Sequence, residues 1–340
     1  MLAIVATAIW LVAAQSASAV QSDIYDNHTK CPTGSAAMND PGITGASCAS
    51  ALVKEGFLKV GNFAVPITTP MHLQFAFLIV EPKQEGESEH QVVAGSTTID
   101  TAPFVVPNPF YRPPSPPAAQ APPAKKKGKS HRKHRKHGKK KGKGGKHKKH
   151  RKKRKKKAPP PVPVVVAPTP PPSDPFVKAT VEPAGDLRDL NLGALFGDPR
   201  PLFRLPIKLH LESAGLGPAC YVGTDSNPIV LAAGQSQPPT SGDFVFDPNG
   251  FAVENLFTEG GGLEDKTFAV PAASGCGPID PATQQGSMDS AINGFLGLPT
   301  APGASRAVFD SIRLDLAGAL NDGAELPAGE ELQAAFDAAR

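Results

Sequence analysis

Between Lys125 and Lys157 the chain carries 22 lysines and arginines, no acid and no apolar side chain. Such a stretch has nothing to bury against the entropy cost of ordering, and its charges repel one another. Proline-rich flanks, Pro113–Pro123 and Pro159–Pro175, bracket it. Proline fixes φ and favours extended backbone, so these flanks read as semi-rigid spacers. Residues 112–175 are therefore expected to form a disordered Pro-rich and Lys/Arg/His-rich insert. Whatever folds in this chain must be built from the residues on either side of it.

The insert also decides how the charge is read. The full 340 residues hold 36 basic and 31 acidic side chains, a net of +5. Without the run, 14 basic residues face 31 acidic ones, a net of −17. Five of the nine histidines, His131, His134, His137, His147 and His150, lie in the run as well. Segregation of this kind implies a polyanionic partner, or association between the two parts of the chain. The candidate contacts are Lys125, Lys126, Lys127, Arg132, Lys133, Arg135, Lys136, Lys139, Lys140, Lys148, Lys149, Arg151, Lys152, Lys153, Arg154, Lys155, Lys156 and Lys157. Binding through them releases condensed counterions and is salt-sensitive. The run has no aromatic residue to stack on bases, so specificity is expected to be low. The competing reading is a solvated spacer that only keeps the chain soluble.

Residues 1–19 carry an apolar stretch from Leu2 to Ala14 followed by Ala17-Ser18-Ala19. This is the pattern of a secretory signal peptide with a small-residue cleavage site, although no Lys or Arg precedes the apolar stretch. Export changes the choice of polyanion: an anionic envelope polymer, anionic lipid headgroups or extracellular nucleic acid replaces a nuclear or chromosomal target. It also gives the four cysteines a meaning. Cys31, Cys48, Cys220 and Cys276 are an even number in an exported chain, which predicts two disulfides. Three connectivities are possible; pairing Cys31 with Cys48 and Cys220 with Cys276 keeps each bridge on one side of the insert. No Cys-x-x-Cys spacing supports zinc.

The flanking regions read as β-rich. Residues 20–111 are expected to form a first lobe, with a loop stapled across Cys31–Cys48. A hairpin follows from Phe57–Val60 through Gly61-Asn62 to Phe63–Ile67. A strand with Leu73, Phe75, Phe77 and Ile79 on one face comes next, and another over Gln91–Ile99. Residues 176–340 are expected to form a second lobe. Leu205, Ile207, Leu209 and Leu211 alternate with polar neighbours, and Pro206 places this strand at an edge or at the start of its pairing. Short strands are predicted at Ile229–Ala232, Phe244–Phe246, Phe251–Phe257, Thr267–Val270 and around Ile312–Leu316. A terminal helix is predicted over Glu330–Ala339, with Leu332 and Phe336 on one face. The fold class expected is mostly β, a sandwich-like domain of short strands interrupted by the insert.

The second lobe contains Leu205-Pro206-Ile207-Lys208-Leu209-His210, Cys220-Tyr221-Val222-Gly223 and Asn227-Pro228-Ile229-Val230-Leu231. Thr267-Phe268-Ala269-Val270-Pro271-Ala272-Ala273-Ser274-Gly275-Cys276-Gly277 follows, then Ile292-Asn293 with Gly297-Leu298-Pro299. In these segments the lobe resembles a family of uncharacterised secreted proteins of high-GC Gram-positive bacteria. The resemblance covers residues 176–316 and extends over 20–110. It implies a signal peptide, paired cysteines and a β-rich secreted domain, and no established activity. The basic insert departs from the family pattern and suggests an insertion into one domain.

No catalytic, cofactor or metal signature emerges. Gly-x-Ser-x-Gly is absent, and outside the insert only His28, His72, His90 and His210 remain. His72 and His210 fall on the more polar faces of their strands, where a solvated histidine is expected. Asp247-Pro248-Asn249-Gly250 lacks the ligand order of a calcium loop and reads as a turn. The only tryptophan, Trp10, lies in the signal, and the mature chain keeps three tyrosines. Few aromatic platforms disfavour a sugar-binding role. The leading expectation is a secreted, non-enzymatic protein retained at the cell envelope or on extracellular polyanions. The alternative is a secreted hydrolase whose active site is not readable from the sequence.

Overall fold

The computed structural model describes residues 27–80, 90–108, 175–246, 251, 253–321 and 325–339. The expected signal segment, the basic run with its candidate contacts, and the turn expected at Asp247–Gly250 lie outside the described residues.

The described residues form a mostly β structure. The first part supplies β1 (Gly45–Val60), β2 (Phe63–Pro66), β3 (Met71–Ile79), β4 (His90–Val92), β5 (Thr98–Asp100) and β6 (Phe104–Pro107). The second supplies β7 (Phe176–Pro183), β8 (Phe203–Glu212), β9 (Tyr221–Val222), β10 (Ile229–Gln237), β11 (Ser241–Phe246), β12 (Val253–Glu259), β13 (Gly262–Asp265), β14 (Ala273–Ser274) and β15 (Arg306–Leu320). Two helices, α1 (Asp289–Leu296) and α2 (Ala328–Ala338), complete the set with a 3₁₀ turn at Leu192–Phe196.

All fifteen strands join one antiparallel sheet folded into two layers, and β10 carries it from one layer to the other. Ile229–Ala233 of β10 pair with β8 in the first layer, and Gly234–Gln237 pair with β13 in the second. The second layer is organised by β1 and β15, which run antiparallel from Gly45↔Leu320 to Lys59↔Arg306. Strands from before and after the insert thus share one sheet. In that ladder Gly56, opposite Phe309, has φ +140°, and a Cβ there would meet the Val308 carbonyl oxygen at 2.1 Å. Only glycine fits.

Alternating side chains fill the space between the layers. Leu73, Phe75 and Phe77 of β3 and Ile312, Leu314 and Leu316 of β15 share one core with Val177, Ala179 and Val181 of β7 and Leu205, Ile207 and Leu209 of β8. At about 25 cal/mol per Å² of apolar surface removed from water, this core is the main stabilising term. Asp186, after β7, is tied to the turn between β4 and β5: its carboxylate accepts the N–H of Gly95 at 2.8 Å and of Thr97 at 3.3 Å.

The outer face of the second layer holds a separate core. Ala46, Cys48 and Ala76 and Ala317 and Ala319 lie under Leu332, Ala335 and Phe336 of α2. Small side chains on the sheet allow the helix to sit close. The Cys31–Cys48 bridge fastens the segment before β1 to this face, and Cys220–Cys276 fastens β9 to the chain after β14. No described cysteine is free.

Several expected elements differ in extent. The predicted loop over Cys31–Cys48 ends at Gly45, where β1 begins and runs on for 16 residues. Gln91–Ile99 is divided into β4 and β5 by a turn. Thr267–Val270 is not a strand; only Val270 makes an isolated bridge, to Thr300. β8 is an interior strand, paired with both β7 and β10. Its Pro206 costs no ladder bond because pairing with β7 starts at Ile207, and Pro206 there only accepts, from the N–H of Ala184.

Candidate functional site

The basic run enters and leaves the β structure at one place. β6 and β7 pair antiparallel from Phe104↔Ala179 to Pro107↔Phe176. Just beyond that ladder the N–H of Asn108 donates to the Pro175 carbonyl at 2.8 Å, and the Asn108 amide nitrogen donates to Ser213 Oγ at 3.2 Å. The chain therefore leaves and rejoins the described residues at a single hairpin.

A second grouping was not foreseen from the sequence. On the outer face of the second layer, register sets Ser50 opposite Asp315 on one side and Gln74 on the other. His72 lies one pleat further along β3, opposite Asp100. Ser50 Oγ is 2.6 Å from His72 Nε2, and Gln74 Nε2 is 3.2 Å from His72 Nδ1. Asn27 donates to Asp315 at 3.0 Å, and Arg313 pairs with the same carboxylate at 3.1 Å while lying over the Phe257 ring. A serine, a histidine and an aspartate thus sit together, which prompts the question of a catalytic triad.

The hydrogen bonds answer it. Gln74 Oε1 accepts the Lys30 N–H, so the amide turns its NH₂ toward His72 Nδ1. With Nδ1 accepting, the tautomer that fits carries its proton on Nε2 and donates a hydrogen bond to Ser50 Oγ. A general base needs the opposite tautomer and an acid group behind Nδ1. Asp315 stands on the far side of Ser50, and Ser50 is 1% exposed. This is a closed polar seam across β3, β1 and β15. Burial raises the Asp315 carboxyl to about 6, against the opposing pull of Arg313 and the Asn27 hydrogen bond. Desolvation likewise lowers His72.

His28 adjoins this seam. It is buried, its ring stacks on Phe336 of α2 at 5.5 Å, and neither ring nitrogen has a hydrogen-bond partner. Burial first, then the neighbouring His72, pushes it down to about 3. His210, expected in solvent, is instead half-buried: it stacks on Tyr221 at 4.5 Å and faces Glu182 and the Pro218 carbonyl. Lys208 lies over the same tyrosine, so that ring is not an open platform. Among the described residues no group of three or more His, Cys, Asp or Glu could hold a metal ion, and no helix is long and apolar enough to cross a membrane.

Comparison with known proteins found no matching family model, no matching curated protein and no matching solved structure.

Proposed function

We propose that this chain is an exported, non-enzymatic protein that its basic run holds on polyanions at the cell envelope. The observation behind this reading is the Asn108–Pro175 hydrogen bond. The two ends of the stretch that contains the polycation meet at one hairpin, so the run does not join two separately folded domains. The two disulfides are compatible with an extracellular protein, and their pairing leaves the loop unbridged. The body, at −17 without the run, competes for the loop in cis and favours partners of higher charge density.

The test is fractionation of producing cells. Full-length protein should remain with the envelope and be released by salt, whereas a chain lacking residues 125–157 should appear in the medium. Equal distribution of the two would reject the reading.

A further inference from the structure

We propose that the free edge of β11 is a dimer surface, on which a second copy of this chain lays its own β11 antiparallel about a two-fold axis at Phe244. Among the described residues β11 pairs with β12 alone, so its other edge has no neighbouring strand. Glu259 turns its carbonyl towards β11 and accepts the Thr240 N–H at 2.9 Å. Alternation then turns Phe257 and Asn255, with their partners Asp243 and Val245, into the shared ladder. The N–H and C=O groups of Gly242, Phe244 and Phe246 therefore face the free edge. There the Phe244 N–H is covered only by its neighbour, donating to the Asp243 carboxylate at 2.9 Å.

The side chains of the same residues supply the other half of the fit. Phe244 is 52% exposed and Phe246 65% exposed, and their rings meet edge to face at 5.8 Å. Beside them lies an open groove of about 480 Å³, bounded by Leu195, Pro239, Gly242, Leu256 and Thr258. Pairing through Phe244 sets each Phe246 opposite the other copy's Gly242, and so over that groove. The outward groups of Gly242, Phe244 and Phe246 all find partners, and Asp243 faces Val245. Moving the axis one residue back would set Asp243 against Asp243, which is destabilising. Moving it one residue forward would take Phe246 away from Gly242 and its groove. Each copy offers the ring that the other's groove receives, as a closed two-fold contact requires.

The contact is weak by design of its parts. A strand of 6 residues buries little on pairing, well under the roughly 1,200 Å² of a stable interface. Asp243 blunts the edge, as charges on edge strands do, and two bodies at −17 each repel. Salt screens that repulsion and strengthens the dimer, the opposite of its effect on polyanion binding. The dimer does not depend on what the basic run binds.

The experiment is sedimentation velocity of the full chain across the micromolar range at high salt, which also suppresses contacts between the basic run and the acidic body. Amide hydrogen exchange is followed in parallel. Wild type should pass reversibly from monomer to dimer as concentration rises, and exchange in Ser241–Phe246 should slow in step. Phe246→Ser should weaken the dimer at least about tenfold, since each copy loses a buried ring. Gly242→Val should do the same by filling the seat of that ring; the folded monomer accommodates it, because a Cβ there meets nothing closer than 3.5 Å. Asp243→Ala, which uncovers the Phe244 N–H and removes a charge from each copy, should strengthen the dimer several-fold. Thermal melts matching wild type would show that the variants fold. A chain that stays monomeric throughout, Asp243→Ala included, would overturn the proposal. So would a dimer that leaves exchange in β11 unchanged, or one that survives both Phe246→Ser and Gly242→Val.

Discussion

The N–H of Asn108 donates to the carbonyl of Pro175 at 2.8 Å, closing the chain on itself across the whole basic run. The two residues are consecutive in space and far apart in sequence, so the run can be cut or removed without disturbing the sheet that carries it.

Trypsin, cutting at Lys and Arg, should nick the run first. The fragments should then migrate as one species on a native sizing column, because β1 of one fragment pairs along its length with β15 of the other. They should part in denaturant without any reductant, since neither disulfide crosses the nick. Separation of the fragments under native conditions would mean that the β1–β15 ladder does not hold them.

His28 and Asp315 link stability to pH with opposite signs. His28 lies in the fold at about 3 against 6.5 when unfolded, so the unfolded state takes up its proton first and stability falls as pH drops below about 6.5. Asp315 lies in the fold at about 6 against 3.8, so the folded state holds its proton longer and stability falls as pH rises from about 4 to 6. Each slope approaches about 1.4 kcal/mol per pH unit, and between pH 4 and 6 they offset one another. Urea midpoints of wild type should change little over that window, falling slightly on acidification because burial lowers His72 as well. His28→Phe should gain stability on acidification, and Asp315→Asn should lose it. A wild-type midpoint that moves steeply across the window, unchanged in either variant, would rule this linkage out.

Alkylation of the unreduced protein should label no thiol. On loop-entropy grounds, removing the 17-residue Cys31–Cys48 closure should cost about 3 kcal/mol, and the 56-residue Cys220–Cys276 closure about 4. Denaturant titration of the paired alanine variants measures both. Stoichiometric labelling of Cys220 or Cys276 would refute the pairing.

Phe336→Ala should cost about 3–5 kcal/mol, as for large-to-small changes in a packed core, because Phe336 is 2% exposed and fills the layer between α2 and the sheet. A loss below about 1 kcal/mol would mean that α2 contributes little to the fold.

What could be read from the sequence follows from side-chain size. β8 is legible because Leu205, Ile207, Leu209 and Leu211 alternate with Pro206, Lys208, His210 and Glu212. The first half of β1 is not: Gly45-Ala46-Ser47-Cys48-Ala49-Ser50-Ala51 looks like a loop, yet the small Ala46 and Cys48 within it lie under α2. β15 was read only over Ile312–Leu316, since Ala317-Gly318-Ala319 serves the same close contact and Ser311, at φ +52°, breaks the alternation. The polar seam was invisible for another reason. Asn27, Ser50, His72, Gln74 and Asp315 carry no local motif, and only the register of β1 against β3 and β15 brings them together. The helix α1 is too short, at 8 residues, to declare its period.

The central claim, that the closed loop and not the folded body holds the polyanion, is tested most directly by affinity for polyphosphate as a function of salt. Wild type should lose affinity on a steep log–log line whose slope reports many released ions, because 22 cations lie in the run. The chain lacking residues 125–157 should show no binding at any salt concentration. A flat line for wild type, or binding that persists in the deleted chain, would contradict the account.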